Sequence, residues 1–213
     1  MAIKIFICLI LLSINVQSAT LERRDQSIVI NGVLVEGDYV SFIKIVKETT
    51  NAKVVVLNNC IGGLISVGFK ISQLVSSFKL NTIAKGEANS ACALVFLAGK
   101  ERSFDSSFGV HSILLHAARN ANRDINVAAD VTAAMLRYIQ YLSGKKISEN
   151  ILNLIEKSQK STQGVVFLKE NMEGYKLYKT VYCNGDEDGA LAKCVELDNS
   201  DARLMGVVTD SAD

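Results

Sequence analysis

The chain has 213 residues, of which 49% are hydrophobic and 21% charged, with a formal net charge of +1 at pH 7. This size and composition are typical of one globular domain with a sizeable core. Lys and Arg are scattered along a nearly neutral chain, which argues against a nucleic-acid partner, because phosphate binding needs clustered basic residues. There is no Walker-type Gly-Lys-Ser/Thr loop, so we expect no intrinsic ATP binding, and we predict no cofactor.

The N-terminus has the layout of an export signal. Lys4 is followed by an apolar stretch over Ile5–Ile14 and then by small and polar residues up to Ser18. The apolar stretch is short for a membrane span, although an uncleaved anchor is an alternative. We therefore predict a signal peptide over residues 1–18, cleavage after Ser18, one domain over 19–213, and a periplasmic or secreted protein.

Export would remove Cys8 and leave four cysteines in an oxidising compartment, where three full pairings are open to them. We favour Cys183 with Cys194, which closes a short polar loop. Cys60 with Cys92 would then tie a glycine turn to a serine turn, and two buried free thiols are the alternative. Neither pair has the spacing of metal ligands, so we predict no metal site.

Apolar runs alternate with amphipathic segments along the chain. Strands are predicted over Ile28–Val35, Lys53–Leu57, Leu80–Ala84 and the short run Phe108–Val110, and helices over Val40–Glu48, Leu64–Phe78, Ala91–Ala98 and Asp124–Leu142. This alternation favours an α/β fold with a largely parallel sheet and flanking helices. The tail from Ser148 is more polar, and it predicts a short helix over Asp201–Gly206 before a strand over Val207–Thr209.

Three small motifs follow three of the apolar runs. They are the glycine pair Gly62-Gly63, the segment Ser90-Ala91-Cys92, and His111. Open α/β sheets bind ligands where parallel strands end, so we expect these motifs to meet at one edge of the sheet. A glycine pair, a serine among small residues and a histidine are the parts of an acyl-transfer site.

Each residue has a specific predicted role. Ser90 is the nucleophile, because a residue between a strand and a helix projects its hydroxyl from a tight turn. The backbone N–H groups of Gly63 and Ala91 form the oxyanion hole. His111, the histidine that follows the third apolar run, is the predicted base, and His116 is the only other histidine in the chain. Taken singly, an ordinary turn, a helix cap and a core histidine would explain the three motifs; their ordered combination favours catalysis.

The motifs resemble those of the Clp protease proteolytic-subunit (ClpP) family, within the crotonase-like superfamily, and more closely its exported bacterial relatives. The resemblance runs from about Ile28 to Thr209, and its motifs are Asn59–Gly63, Asn89–Cys92, Phe96–Gly99, His111 and Asp201–Thr209. It implies a ββα-superhelix fold, Ser90 as nucleophile, His111 as base, and an oxyanion hole from Gly63 and Ala91. It also implies a peptide or protein substrate and a handle-like helix over 124–142 that packs subunits into a homo-oligomer.

The chain departs from the family pattern at three places. Cys194 stands where the family has its triad aspartate, Ile61 stands where it has proline in the glycine turn, and Asn89 stands where it has alanine before the serine. Candidates for a third acid are Glu196, Asp198, Asp186 and Asp188, although Asp198 is equally well placed as a helix cap. The acidic run 184–189 resembles the start of a calcium loop, but the closing Glu196 is one residue out of place, so we favour a solvated hairpin tip.

These observations favour an exported ClpP-like serine hydrolase. We predict an ATP-independent peptidase that works through an acyl-enzyme, with a Ser-His or Ser-His-acid site. The alternative is a catalytically inactive family member that acts as an oligomeric scaffold, because the triad aspartate is missing. A weaker alternative is a thioester-handling crotonase relative with a carboxylate base.

Overall fold

The computed structural model describes residues 18–49, 51–117, 125–158, 160, 162–173, 175–185, 193–198 and 200–209. In this part of the chain a nine-stranded sheet is flanked by helices. The strands are β1 (Thr20–Arg24), β2 (Ser27–Leu34), β3 (Val54–Gly63), β4 (Asn81–Asn89), β5 (Arg102–Phe104), β6 (Gly109–Leu115), β7 (Gln163–Met172), β8 (Tyr175–Asn184) and β9 (Cys194–Glu196). The helices are α1 (Asp38–Glu48), α2 (Ile65–Ser77), α3 (Ala91–Leu97), α4 (Ile125–Leu142) and α5 (Glu149–Lys157).

The sheet has a parallel centre with antiparallel additions at both edges. Its strand order is β1-β2-β3-β4-β6-β7-β8-β9, and β5 pairs with the first part of β4. The pairs β2-β3, β3-β4 and β4-β6 are parallel. The pairs β1-β2, β6-β7, β7-β8 and β8-β9 are antiparallel. The sequence therefore predicts the centre of the sheet correctly but not its edges.

Strand β6 is buried on both faces of the sheet. Ile113 and Leu115 lie in the main core, while Leu114 packs with Val166 and Val181 in a second cluster on the other face. A strand that is covered on both faces has a continuous apolar sequence instead of an alternating one. The end of β6 is therefore held firmly between two layers.

Helix α2 packs directly on α3 at a glycine. A Cβ atom built on Gly68 would lie 2.6 Å from the Ala91 carbonyl oxygen and 2.9 Å from the Ala91 Cβ. Such distances are too short for any side chain, so only glycine permits this approach. All seven residues of α3 are buried, which makes the contact hard to relax. Gly68 therefore sets how closely α2 approaches the first residue of α3.

The polar tail differs from its prediction. It contains the long antiparallel hairpin of β7 and β8, which we do not predict from the sequence. The prediction of a strand over Val207–Thr209 is wrong, because this segment pairs with no strand within the described residues. Arg102 holds it instead: the guanidinium donates to the Gly206 and Val207 carbonyls at 2.8 and 3.0 Å. Residues 202–206 form turns where a helix is predicted.

We expect Gly68→Ala to lower the free energy of unfolding by about 1–3 kcal/mol, because the added methyl group overpacks the contact between α2 and α3. Gly37→Ala is the matched control, since nothing lies within 4 Å of a Cβ built on Gly37, whose φ is −72°. Urea unfolding followed by circular dichroism measures both variants. Equal unfolding midpoints for the two variants would contradict the close contact.

Candidate active site

Ser90 occupies a strained turn between β4 and α3. Its backbone has φ 53° and ψ −115°, a conformation that non-glycine residues rarely adopt and that costs about 1–3 kcal/mol. The surrounding structure enforces it: the Ser90 N–H donates to the Leu114 carbonyl at 2.9 Å, and the Ser90 carbonyl accepts from Ala93 at 3.0 Å. A strained serine between strand and helix is the geometry of the nucleophile elbow, which exposes the hydroxyl oxygen.

The glycine pair lies against this turn. Gly62 and Gly63 have φ +107° and +125°, and they form the end of β3 instead of a separate turn. A Cβ on Gly62 would lie 3.1 Å from the Ser90 Cβ, and a Cβ on Gly63 would lie 2.2 Å from the Leu34 carbonyl oxygen. Glycine is therefore needed at both positions, and the structure brings two of the three predicted motifs together.

Both predicted disulfides are present in the structure. Cys183 is bonded to Cys194, with Cα atoms 4.1 Å apart, and clamps the ends of β8 and β9. Cys60 is bonded to Cys92, with Cα atoms 5.8 Å apart, and joins β3 to α3 beside Ser90. The predicted pairing is therefore confirmed.

His111 does not lie where the sequence places it. We predict a strand that ends at His111, and this is wrong, because the apolar run that follows extends β6 to Leu115. Ser112 is the register partner of Glu87, so His111 lies level with Gly86, four residues before Ser90 on the neighbouring strand. Four residues of extended strand span roughly 13 Å.

The hydrogen bonds of His111 also give it a structural task. Its Nδ1 accepts from the Gly86 N–H at 2.9 Å, so Nε2 carries the proton and donates to the Ser107 carbonyl at 3.1 Å. Both ring nitrogens are thus engaged by backbone groups, and the side chain is only 3% exposed. In this structure His111 ties the loop before β6 to β4 and is not brought to Ser90.

His116 is the histidine that the register brings to the serine turn. Asn89 is the register partner of Leu114, so His116, which directly follows β6, lies about one residue, roughly 3 Å, beyond the level of Ser90. The side chain is buried, and burial lowers the pKa of His116 to about 4. The imidazole is therefore neutral at pH 7, which is the state that a general base needs.

A glycine on β7 supports the position of His116. Gly164 has φ +152°, and a Cβ there would lie 2.4 Å from the Leu115 carbonyl oxygen and 2.9 Å from the His116 Cβ. Any side chain at Gly164 would displace the end of β6. Neither His116 nor Gly164 is assigned a role from the sequence, although the apolar run before His116 is the pattern that places Ser90 at a strand end.

The two candidate third acids that the structure describes do not lie at Ser90. Glu196 lies on the edge strand β9, and both it and Asp198 are exposed. Three strand spacings separate β9 from β6, a distance of roughly 14 Å across the sheet. Asp186 and Asp188, with most of the acidic run 184–189, lie outside the described residues. Among the residues that are described, no group of three or more His, Cys, Asp or Glu could hold a metal ion.

Comparisons with known proteins agree with this architecture. ClpP1 from Listeria monocytogenes is similar in structure, with a TM-score of 0.52 and 13% identity over 86% of this chain and 89% of that chain. A mutant of the same protein gives 0.50 and 14% with the same coverage. A mutant of the membrane-bound stomatin-specific protease 1510-N gives 0.49 and 15%, over 86% of this chain and 76% of that chain.

No protein-family model matches the chain, and no curated protein matches it either. At identities this low, the likeness to solved structures concerns the path of the backbone and not the role of any residue. This chain therefore has a ClpP-like α/β fold, as its mixed sheet, its flanking helices and its similarity to the two ClpP1 structures indicate.

Proposed function

We propose that the chain is a serine hydrolase, most specifically an ATP-independent peptidase with Ser90 as its nucleophile. The observation that carries the proposal is the strained Ser90 backbone, at φ 53° and ψ −115°, held against Gly62. A protein keeps a strained polar residue where the surrounding contacts enforce it, and such residues cluster at active sites. The resemblance to the ClpP family and the ClpP-like fold support the choice of a peptide or protein substrate.

In the proposed reaction, Ser90 Oγ attacks a substrate carbonyl and its proton passes to a histidine. The carbonyl oxygen becomes an oxyanion, which accepts hydrogen bonds from the Gly63 and Ala91 N–H groups. Gly62 is less suited to this role, because its N–H donates to Cys92 Sγ at 3.3 Å. The histidine then protonates the leaving amine, and water hydrolyses the acyl-enzyme.

The geometry favours His116 as the base. It follows the strand that pairs with the end of β4, and it is neutral at pH 7. His111 remains the base predicted from the sequence, but its ring would have to leave Gly86 and Ser107 to reach Ser90. We therefore assign proton transfer to His116 and keep His111 as the alternative that the variants below distinguish.

The inactive scaffold is the second candidate function. Glu196 and Asp198, the two candidate acids within the described residues, lie far across the sheet from Ser90. A histidine without an orienting carboxylate is a weaker catalyst, since it samples unproductive tautomers and orientations. We propose a slow Ser-His dyad, and the labelling experiment below separates it from an inert protein.

We also propose that the protein is exported, with a signal peptide over 1–18. Two disulfides favour an oxidising compartment. No helix within the described residues is long and apolar enough to cross a membrane. Cleavage after Ser18 would remove the hydrogen bond that Ser18 Oγ donates to the buried Asp38 at 2.8 Å. It would also convert the Ala19 N–H, which donates to the Val33 carbonyl at 2.8 Å, into an α-amino group.

We expect a fluorophosphonate probe to label the folded protein at Ser90, located by mass spectrometry, and Ser90→Ala to abolish labelling. His116→Gln should slow labelling by about 10²–10⁴-fold, because the serine loses its general base. His111→Gln should change the labelling rate of folded protein by less than about threefold, while it lowers stability by roughly 1–3 kcal/mol through lost buried hydrogen bonds.

The reverse pattern, with loss in His111→Gln and retention in His116→Gln, would make His111 the base. No labelling of folded wild-type protein would overturn the hydrolase proposal and leave the scaffold as the better explanation. Circular dichroism on every variant confirms that the compared molecules are folded.

We expect the labelling rate to fall as the pH drops through about 4, because burial lowers the pKa of His116 to that value and the base must be neutral. In the unfolded chain His116 takes up its proton near pH 6.5. Its contribution to stability is therefore complete above about pH 6.5 and is lost as the pH falls towards 4. Rates are measured at temperatures where the protein is fully folded; an acid limb near pH 6.5 would contradict a buried base.

We propose a homo-oligomer formed through α4. This helix packs inward through Met135 and Ile139, while Arg137 and Tyr141 are exposed, the latter by 70%. We expect light scattering to show an oligomer and Tyr141→Glu to dissociate it, because a charge would be buried in the interface. Phe78→Glu, at an apolar residue that is 53% exposed at the end of α2, is the control. A monomer at all concentrations would contradict the proposal.

A further inference from the structure

The two halves of the proposed oxyanion hole belong to different parts of the sheet. On β3, Cys60 is the last residue paired with β4, opposite Ala88, after a register shift that follows Asn58. Beyond it, Gly62 and Gly63 pair with β2 instead. Within residues 51–117, all of which the structure describes, no ladder pair joins these glycines to β4.

The serine turn is anchored on the opposite side. The Ser90 N–H donates to Leu114 of β6, and Ala91 is the first residue of α3. The ladder between β3 and β4 therefore ends before the level where the Gly63 and Ala91 amides must converge on one oxygen atom, and there Gly62 meets Ser90 by packing alone. Backbone hydrogen bonds hold the Gly63 segment to β2 and the Ser90-Ala91 segment to β6, and none of those within the described residues holds these two segments to each other.

One covalent link joins these two segments. Cys60 stands two residues before Gly62, Cys92 directly follows Ala91, and their Cα atoms are 5.8 Å apart in the disulfide. Cys92 Sγ also accepts the Gly62 N–H at 3.3 Å, so the sulfur contacts the glycine turn twice, by a bond and by a hydrogen bond. Both cysteines are completely buried, which leaves the link little room to shift.

The glycine turn needs such a link more than most turns do. Gly62 and Gly63 have the freest backbones of any residue type, and the preceding residue is Ile61, which does not fix its φ angle as a proline would. The whole chain contains no proline. Catalytic donors must be held to within about 0.5 Å of their working positions, and flexible glycines do not provide this alone.

We propose that the Cys60–Cys92 disulfide is a positioning element of the active site, which holds the Gly63 amide at a fixed distance from the Ala91 amide. The proposal rests on the hydrolase function proposed above. In it the disulfide takes over the rigidity that the glycine turn lacks, and its removal loosens the oxyanion hole before it unfolds the protein. The Cys183–Cys194 disulfide joins edge strands and has no such role.

The test compares Cys60→Ala/Cys92→Ala with the matched control Cys183→Ala/Cys194→Ala. Both variants lose one disulfide, and both should have lower thermal midpoints. Below those midpoints, hydrogen exchange of the amides in residues 61–63 and 91–92 should accelerate at least about tenfold in the first variant only. Fluorophosphonate labelling of Ser90 should slow by about 10²-fold in the first variant, as expected for the loss of an oxyanion donor, and by less than about threefold in the control.

Unchanged exchange and unchanged labelling in Cys60→Ala/Cys92→Ala would overturn the proposal, as would equal losses in both variants. Wild-type protein that is not labelled would overturn the hydrolase function itself, and local exchange at the two turns would then decide whether the disulfide holds them together. Cys60→Ala/Cys92→Val, which refills part of the lost volume, replaces the first variant if that one does not fold. If neither folds, the Cys183→Ala/Cys194→Ala protein, which keeps only the Cys60–Cys92 bond, is reduced in mild denaturant by a dithiol, which supplies two electrons and two protons. The exchange and labelling are then measured after the denaturant is removed, with the dithiol still present.

Discussion

The pairing of β4 with β6 is the constraint on which the candidate site depends. Asn89 is the register partner of Leu114, and the Ser90 N–H donates to the same residue's carbonyl at 2.9 Å. This pairing fixes the level at which the chain leaves the sheet as a serine turn. To bring His111 to the position that His116 occupies, β6 would have to shift its register against β4 by five residues. An odd shift also exchanges the two faces of a strand, so Ile113 and Leu115 would leave the main core.

The two histidines, one within β6 and one directly after it, therefore have different surroundings. His111 lies in the interior of the strand, opposite the buried Lys169 of β7, whose Nζ donates to the Asp105 carbonyl at 3.2 Å. Together these side chains satisfy backbone groups of the loop before β6, where an unpaired polar group would be costly. His116 stands where the strand ends, at the sheet edge on which parallel folds place their chemistry. Position relative to one strand, more than residue type, separates the structural His111 from the His116 that we propose as the base.

Much of the fold and half of the site could be predicted from the sequence. The parallel centre, the glycine pair and the serine turn depend on local patterns, so short segments suffice to find them. The disulfides are favoured because Cys183 and Cys194 close a short loop, which leaves Cys60 and Cys92 to pair. The end of β6 could not be found in this way, because the polar pair His111-Ser112 interrupts the apolar run and makes the strand seem to end early. Its continuation depends on two covering layers that only the tertiary structure supplies.

Other parts of the site depend on which elements meet in space. Gly68 and Gly164 are ordinary glycines in the sequence, and they matter because Ala91 and His116 approach them. The hairpin of β7 and β8 places Gly164 there. Val165–Leu168 is an apolar run like those of the central strands, but it lies in a mostly polar tail for which we predict no strand before Val207. The position of Glu196 follows from the place of β9 in the strand order, which the spacing of residues along the chain does not encode.

Because Cys60 and Cys92 are completely buried, their disulfide has to form before the core closes around them. Thiol chemistry needs access to the sulfur atoms, and in the folded chain neither an oxidant nor a reductant reaches them without local opening. The bond must therefore form while the core around α3 is still open. A chain that closed first would enclose two thiols that no later encounter could join. The order of oxidation and folding in each molecule, more than the redox state around the finished protein, would then decide whether it carries the link.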